Sequence, residues 1–237
     1  MHIPILYEDK DIVAINKPSG LIVHSDGRAD EMTLVDWVID NYPEAIDVGE
    51  PTILSDGTVV PRPGIVHRLD AETSGVLLIA RSQDAFVDLK AQFQTRTITK
   101  EYRAFVYGVL KKPHDIINRR IGRSKTDIRR YSAQRGARGV LREAITEYRV
   151  LQANSECSYL ALFPKTGRTH QLRVHMKAIN HPIVCDRLYA PNNPTALGFE
   201  RLALHAHTIE FVAAGGVHTS IEAPLPEDFK KALTMLT

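Results

Sequence analysis

Apolar residues along the 237-residue chain come in short runs, many of them alternating with polar ones, rather than in long stretches. Ile3 to Leu6 and Ile12 to Ile15 predict two strands joined by a tight turn at Tyr7-Glu8-Asp9-Lys10-Asp11. Asn16-Lys17-Pro18-Ser19-Gly20 breaks that pattern, and Leu21 to His24 is expected to resume as extended chain. Thr33 suits an N-cap for a helix with Leu34, Trp37 and Val38 on one face, ended by Tyr42-Pro43. Residues 43–64, rich in proline and glycine, predict loop with a small hairpin around Asp56-Gly57.

The central stretch His67-Arg68-Leu69-Asp70-Ala71-Glu72-Thr73-Ser74-Gly75 leads into Val76 to Ala80, a continuous apolar run that predicts a buried strand. Ser82 can cap a helix carrying Phe86, Leu89 and Phe93. Lys100 to Tyr107 reads as a strand with Tyr102, Ala104 and Val106 on one face and Arg103, Phe105 and Tyr107 on the other. Strands are expected again at Ala144 to Leu151 and Ser158 to Phe163. Gly167-Arg168-Thr169 is then expected to open a helix with Leu172, Met176 and Ile179 on one side and Asn180 as its stop. Leu202 to His207 and Thr208 to Val212 read as strand, and Phe229 to Leu236 as a closing helix.

Composition adds a length sufficient for a full core and excludes several classes. No run approaches the roughly 18 apolar residues of a membrane span, and Met1-His2-Ile3-Pro4 lacks the layout of a signal peptide, so a cytoplasmic protein is expected. Two cysteines, Cys157 and Cys185, are too few for a disulfide framework. The net charge of +2 hides an asymmetry: residues 119–142 hold eight arginines and Lys125 against Asp127 alone. Such a segment, with Arg123, Arg129 and Arg130 among its cations, points to a polyanionic partner, and a mobile arm or irregular hairpin is expected there.

Around Asp70 the residue types limit the chemistry. Turn-forming side chains before a strand account for part of the stretch without any catalytic role. His170 and His175 are five apart, about 140° around a helix, which does not make a metal pair, so no metal is expected. No phosphate-binding glycine loop is present, and Asp70 and Glu72 are too close in sequence to flank a glycosidic bond from opposite sides. What remains is a lone carboxylate able to act as a nucleophile if a cation supports it. Arg173 is a candidate for that support, with Arg168, Thr169 and His170 at a helix start that can hold a phosphate. An ordinary salt bridge between elements is the alternative.

The stretch His67 to Gly75 resembles, throughout, the catalytic H-R-L-D-x-x-T-S-G signature of the RluA-type pseudouridine synthases. Asn16 to Gly20, Lys100 to Ala104, Gly167 to His175 and His181-Pro182 resemble that family's remaining motifs in order, across most of residues 5–210. Cys185 and Ala190 stand where the family often has glycine. The resemblance implies an α/β (α+β) fold: a mixed, largely antiparallel central sheet with flanking helices and an RNA-binding cleft, forming a single catalytic domain over residues 1–237. The family's extra N-terminal S4-like RNA-binding domain is expected to be missing, because the first strand begins near Ile3.

The implied reaction isomerises a uridine within RNA: the C1′–N1 bond breaks, the uracil turns, and C1′ joins C5. By resemblance Asp70 is the nucleophile, Tyr102 packs on the base and removes the C5 proton, and Arg173 pairs with Asp70. Whether Asp70 attacks C1′ or C6 stays open. Arg68 is implied to fill the gap left by the flipped nucleotide, a task suited to a planar guanidinium. The resemblance implies no cofactor and no metal. The partner is then RNA, ribosomal or transfer, bound by a monomer, and Arg62-Pro63-Gly64-Ile65-Val66 resembles the branch that modifies ribosomal RNA of the large subunit (23S rRNA). The rival reading is an RNA-binding protein or chaperone of the same fold without catalytic activity.

Overall fold

The first strand pair forms because Asp9 closes its turn, its Oδ1 accepting from the backbone N–H groups of Asp11 (2.8 Å) and Ile12 (2.7 Å). A computed structural model describes residues 1–24, 32–53, 57, 59–60, 62–134 and 137–236. The chain divides into two compact units, residues 1–99 with 208–223, and residues 100–207 with 224–237.

In the first unit β1 (Ile5–Glu8) and β2 (Ile12–Lys17) pair antiparallel. Residues 21–24, expected as extended chain, pair with no strand and bend at Val23-His24. Their carbonyls serve helix α1 (Leu34–Asn41) instead, with Ile22 and Val23 accepting from the otherwise orphaned N–H groups of Leu34 (2.8 Å) and Val35 (3.1 Å). Thr33 caps α1 as expected, in a capping box with Asp36, and Leu34, Trp37 and Val38 are buried. After a single 3-10 turn at Pro43–Ala45, β3 (Thr52–Ile53) pairs antiparallel with β4 (Val59–Val60). These are the arms of the hairpin expected around Asp56-Gly57; Asp56 itself lies outside the described residues. β5 (Ser74–Ala80) is buried at every position and lies antiparallel to β2, from Ile12 opposite Ala80 to Lys17 opposite Gly75. Ser82 caps α2 (Gln83–Thr95), which buries Phe86 and Leu89. Phe93 is only half-buried, because its ring stacks on His67 at 4.7 Å.

The second unit is built on β6 (Thr99–Tyr107). Its two faces were expected to differ, yet Ala104, Phe105 and Val106 are all fully buried, as befits a strand covered on both sides. β7 (His114–Asn118) has no counterpart among the expected strands. The basic segment folds as a small antiparallel sheet of β8 (Ile121–Arg123), β9 (Tyr131–Ser132) and β10 (Arg138–Arg142), with β8 in the middle. β11 (Ile145–Ala153) and β12 (Cys157–Pro164) complete an antiparallel order β6-β12-β11-β7. Helix α3 (Gln171–Ala178) follows, then β13 (Leu204–Ala213), β14 (Val217–Glu222) and α4 (Glu227–Thr234). The run expected as two strands at 202–212 is the single strand β13, and its residues from Thr208 onward belong to the first unit, where they pair antiparallel with β14. There the Gln92 amide of α2 clamps Val212, donating to its carbonyl (2.7 Å) and accepting from its N–H (2.9 Å).

The expected α+β class with largely antiparallel strands is the one observed. The core of the second unit centres on Phe105, whose ring meets Tyr159 (4.7 Å), Phe199 (5.2 Å) and Phe229 (5.4 Å). Truncating such a ring to alanine costs on the order of 3–5 kcal/mol. No described helix is long and apolar enough to cross a membrane.

Candidate active site

Asp70 is half-buried and opens a tight turn, its carbonyl accepting the N–H of Thr73 at 3.0 Å just before β5 begins. The backbone after it is fastened by the Asn16 to Gly20 stretch. The fully buried Lys17 sends its ammonium to three carbonyls, those of Pro18 (2.9 Å), Leu21 (2.8 Å) and Ala71 (2.9 Å). Gly20 N–H donates to the same Ala71 carbonyl (2.8 Å), and the Ser19 hydroxyl donates to Glu72 O (2.7 Å). Two motifs far apart in sequence, joined by bonds between residues 53 and 54 apart, thus form one main-chain clamp, which leaves the Asp70 side chain on a rigid mount. His67 is part of that mount: its Nε2 accepts the N–H of Leu78 on β5 at 2.9 Å.

Two arginines precede Asp70 in the sequence, Arg62 and Arg68. Arg68 is exposed, with its guanidinium 3.2 Å from His24 Nε2. Burial, with a smaller contribution from the nearby Arg68 charge, lowers the Arg62 pKa. Gly64 holds a positive φ of 64°, and a Cβ there would meet the Ala80 carbonyl oxygen at 2.2 Å, so the Arg62 to Val66 segment can lie against β5 only with glycine at this position.

In the second unit Tyr102 is half-buried on β6, opposite Leu162 of β12, and packs against the core cluster. Near it on the same strand, burial pushes the Lys100 ammonium below its usual pKa. Helix α3 carries Arg173, which is buried and forms a bidentate fork with the fully buried Asp186: Nε to Oδ2 and Nη2 to Oδ1, both 2.8 Å. Asp186 Oδ1 also accepts the N–H groups of Leu188 (3.1 Å) and Tyr189 (2.9 Å). Two residues on, and so on another face of α3, His175 is buried between Thr146 Oγ1 and the Arg119 carbonyl, each at 2.9 Å, and burial lowers its pKa.

Helix α3 starts at Gln171, later than expected. The Gln171 amide oxygen collects the Thr166 hydroxyl (2.6 Å) and the Arg168 N–H (3.0 Å), and His170 takes a left-handed φ of 55°, so Arg168, Thr169 and His170 lie in the turn before the helix. Thr169 is exposed, and Arg168 donates to the Glu143 carbonyl at 2.9 Å. At the helix end Asn180 holds the expected left-handed stop with φ 66°.

The basic sheet presents Arg120, Arg123, Arg129, Arg138 and Arg142 to solvent. Asp127 is gripped by Arg129 through two bonds (3.1 and 2.9 Å) and approached by Arg130 at 3.3 Å. These contacts pull its carboxyl down to about 2. Among the described residues, no group of three or more histidines, cysteines, aspartates or glutamates gathers as a metal would require.

A model of the RNA pseudouridylate synthase family matches residues 11–178. The chain belongs to this family. It is 36% identical over 98% of its length to an uncharacterized RNA pseudouridine synthase of Synechocystis, covering 68% of that protein. It is also 36% identical over 98% of its length to the ribosomal large subunit pseudouridine synthase D of Yersinia pestis, covering 70% of it. Among solved structures, human RNA pseudouridylate synthase domain containing 4 superposes with a TM-score of 0.76 at 27% identity, over 98% of this chain and 92% of that one.

The matched span of the pseudouridylate synthase family contains Asp70, Tyr102 and Arg173 but stops before Asp186 and Tyr189. The structure brings Asp70 together with the Lys17 to Gly20 clamp, and Arg173 together with Asp186. Asp186 and Tyr189 are absent from the residues expected at the site. The available signal was an aspartate just after the His181-Pro182 break, yet 13 residues separate it from Arg173 and nothing local announces the pairing.

Proposed function

We propose that this chain converts specific uridines in structured RNA to pseudouridine, with Asp70 as the nucleophile and large-subunit ribosomal RNA, rather than transfer RNA, as the substrate. The observation that carries the reading is the mounting of Asp70: a half-buried carboxylate on a turn locked by three bonds to main-chain carbonyls, in a stretch that resembles the family's signature and lies within the span its model matches. The names of the relatives favour the ribosomal substrate. Tyr102 supplies a ring to pack on the uracil and an oxygen to take the C5 proton. Arg173 is assigned the support of the Asp70 carboxylate on the resemblance, and its fork with Asp186 keeps it charged and oriented for that task.

In the reaction the C1′–N1 bond breaks, N1 takes a proton, C1′ bonds to C5, and the C5 proton leaves, so the product is an isomer of the substrate. No redox partner or activated donor enters this balance. Arg68 is suited to stack where the target base leaves the helix, while Arg123, Arg129 and Arg130, with Arg168, Thr169 and His170, contact phosphates. The chain acts as a monomeric cytoplasmic enzyme, its two units serving as one catalytic domain. The test is a map of pseudouridines in total RNA from cells with the gene, without it, and rescued by Asp70→Asn. Loss of particular large-subunit rRNA sites that the variant does not restore supports the reading. An unchanged map contradicts it, and full rescue by the variant favours an RNA-binding protein or chaperone.

A further inference from the structure

We infer that Tyr189 is a positioning residue that couples the basic sheet to the Arg173 guanidinium, so that RNA held on β8 to β10 sets the placement of Arg173. This rests on the reading of Arg173 given above. Tyr189 is 3% exposed, and its polar groups are all engaged by different segments. Its N–H donates to Asp186 Oδ1 at 2.9 Å, the same oxygen that Arg173 Nη2 reaches at 2.8 Å. Its carbonyl accepts from the Lys177 ammonium on α3. Its hydroxyl accepts the N–H of Tyr131 on β9 at 3.0 Å and lies 2.9 Å from His170 Nδ1. The Arg173 guanidinium sits over its ring, 5.2 Å from the centroid.

The rings extend this connection outward without a gap. Tyr189 meets His170 edge-on at 5.7 Å, His170 meets Tyr131 edge-on at 6.0 Å, and the Arg123 guanidinium covers Tyr131 at 4.5 Å. An exposed arginine of the arm is therefore joined to the buried arginine of the site through Tyr131, His170 and Tyr189. The middle of that ladder is strained, since His170 holds φ 55°, a conformation that non-glycine residues rarely adopt unless surrounding contacts impose it.

The outer end has two alternative partners. Arg123 now donates to the Ile128 carbonyl at 3.2 Å and lies on Tyr131, contacts that an RNA phosphate outcompetes because a bidentate bond between two opposite charges is stronger than one to a neutral carbonyl. Withdrawing Arg123 releases the Tyr131 face; the Tyr131 N–H, together with His170 Nδ1 against which the Tyr131 ring packs, holds the hydroxyl of Tyr189. The buried end responds because Tyr189 and Arg173 share the Asp186 carboxylate. Binding on the arm thereby biases the guanidinium through differential contacts.

The experiment follows the Nε–H signal of Arg173 by NMR during titration with poly(U), alongside single-turnover tritium release from ribosomal RNA labelled at uridine C5, for wild type, Y189F, R123M and the double variant. The expected result is an Arg173 shift on RNA addition in wild type that is absent in Y189F, although both bind poly(U). At saturating enzyme each single variant slows release by about threefold to thirtyfold, and the double variant is no slower than Y189F alone. A persisting shift in Y189F, or rate losses that multiply in the double variant, overturns the coupling. If Y189F does not fold, His170→Asn, which tolerates the left-handed backbone while removing the ring, takes its place in both arms. Absence of tritium release from every RNA would instead reject the pseudouridine reading, and the NMR arm would still decide the coupling.

Discussion

Two arginine–aspartate pairs in the second unit have nearly the same geometry and opposite surroundings. Arg173 and Asp186 form a fork with both bonds at 2.8 Å and side chains 5% and 0% exposed, whereas Arg129 and Asp127 form one at 3.1 and 2.9 Å with 74% and 17%. Burial removes the competition from water that makes an exposed pair weak, and it raises the penalty for leaving either partner alone. The first pair is therefore a fixed charge, as the role proposed for Arg173 requires. The second is a placeholder: Asp127 occupies arginines that a phosphate can claim.

The largest effect is expected at the buried pair. Arg173→Met should lower single-turnover pseudouridine formation by at least about a hundredfold, as removal of a preorganised charge at a reacting centre does. Near-normal turnover in that variant would remove Arg173 from the mechanism. Asp186→Asn leaves the guanidinium buried and half-paired, which costs on the order of 3–5 kcal/mol and lowers the melting temperature by roughly 6–20 °C for a chain of this size. A melting temperature within a degree of wild type would show the pair to be replaceable.

An intermediate effect concerns pH. His175, two residues after Arg173 on α3, is buried, and burial holds its folded pKa below the unfolded one. The unfolded chain then binds the extra proton first, and stability should fall as pH drops below about 6.5, the unfolded value. His175→Gln should flatten the melting temperature between pH 7 and 5 relative to wild type; an equally steep decline would place the sensitivity elsewhere. The smallest effect belongs to the exposed pair. Asp127→Asn should leave the melting temperature unchanged, tighten RNA binding at low salt by about twofold to fivefold, and steepen the salt dependence by no more than about one ion. Weaker binding in that variant would mean that Asp127 organises the arm rather than shielding it. In wild type its carboxyl, at about 2, stays ionised to well below pH 4, so the Arg129 contact is present above that range and is lost only as pH falls towards 2.

What could be read from the sequence follows the same division. Capped helices and apolar strands are local, and Thr33, Ser82 and the run Val76 to Ala80 announced theirs. β7 and β14 went unseen because their apolar residues, Ile116 and Ile117 in β7 and Val217 and Ile221 in β14, do not make up the alternating run of period two that marks a strand. The basic segment, expected as a mobile arm or an irregular hairpin, forms three strands, since a patch of Ile121, Ala144, Val174 and Tyr189 anchors it. Asp70 stood out through its motif. The residues that hold it and Arg173 in place did not, because a lysine that clasps carbonyls and an aspartate 13 residues from its arginine are tertiary facts with no periodic trace.

The central claim is that Asp70 is the nucleophile of a uridine isomerisation. It is tested most directly by tritium release from ribosomal RNA labelled at uridine C5, comparing wild type with Asp70→Asn at matched RNA occupancy. The account predicts release by wild type and none above background in the variant, with RNA binding retained. Release by Asp70→Asn at a rate near wild type would contradict it.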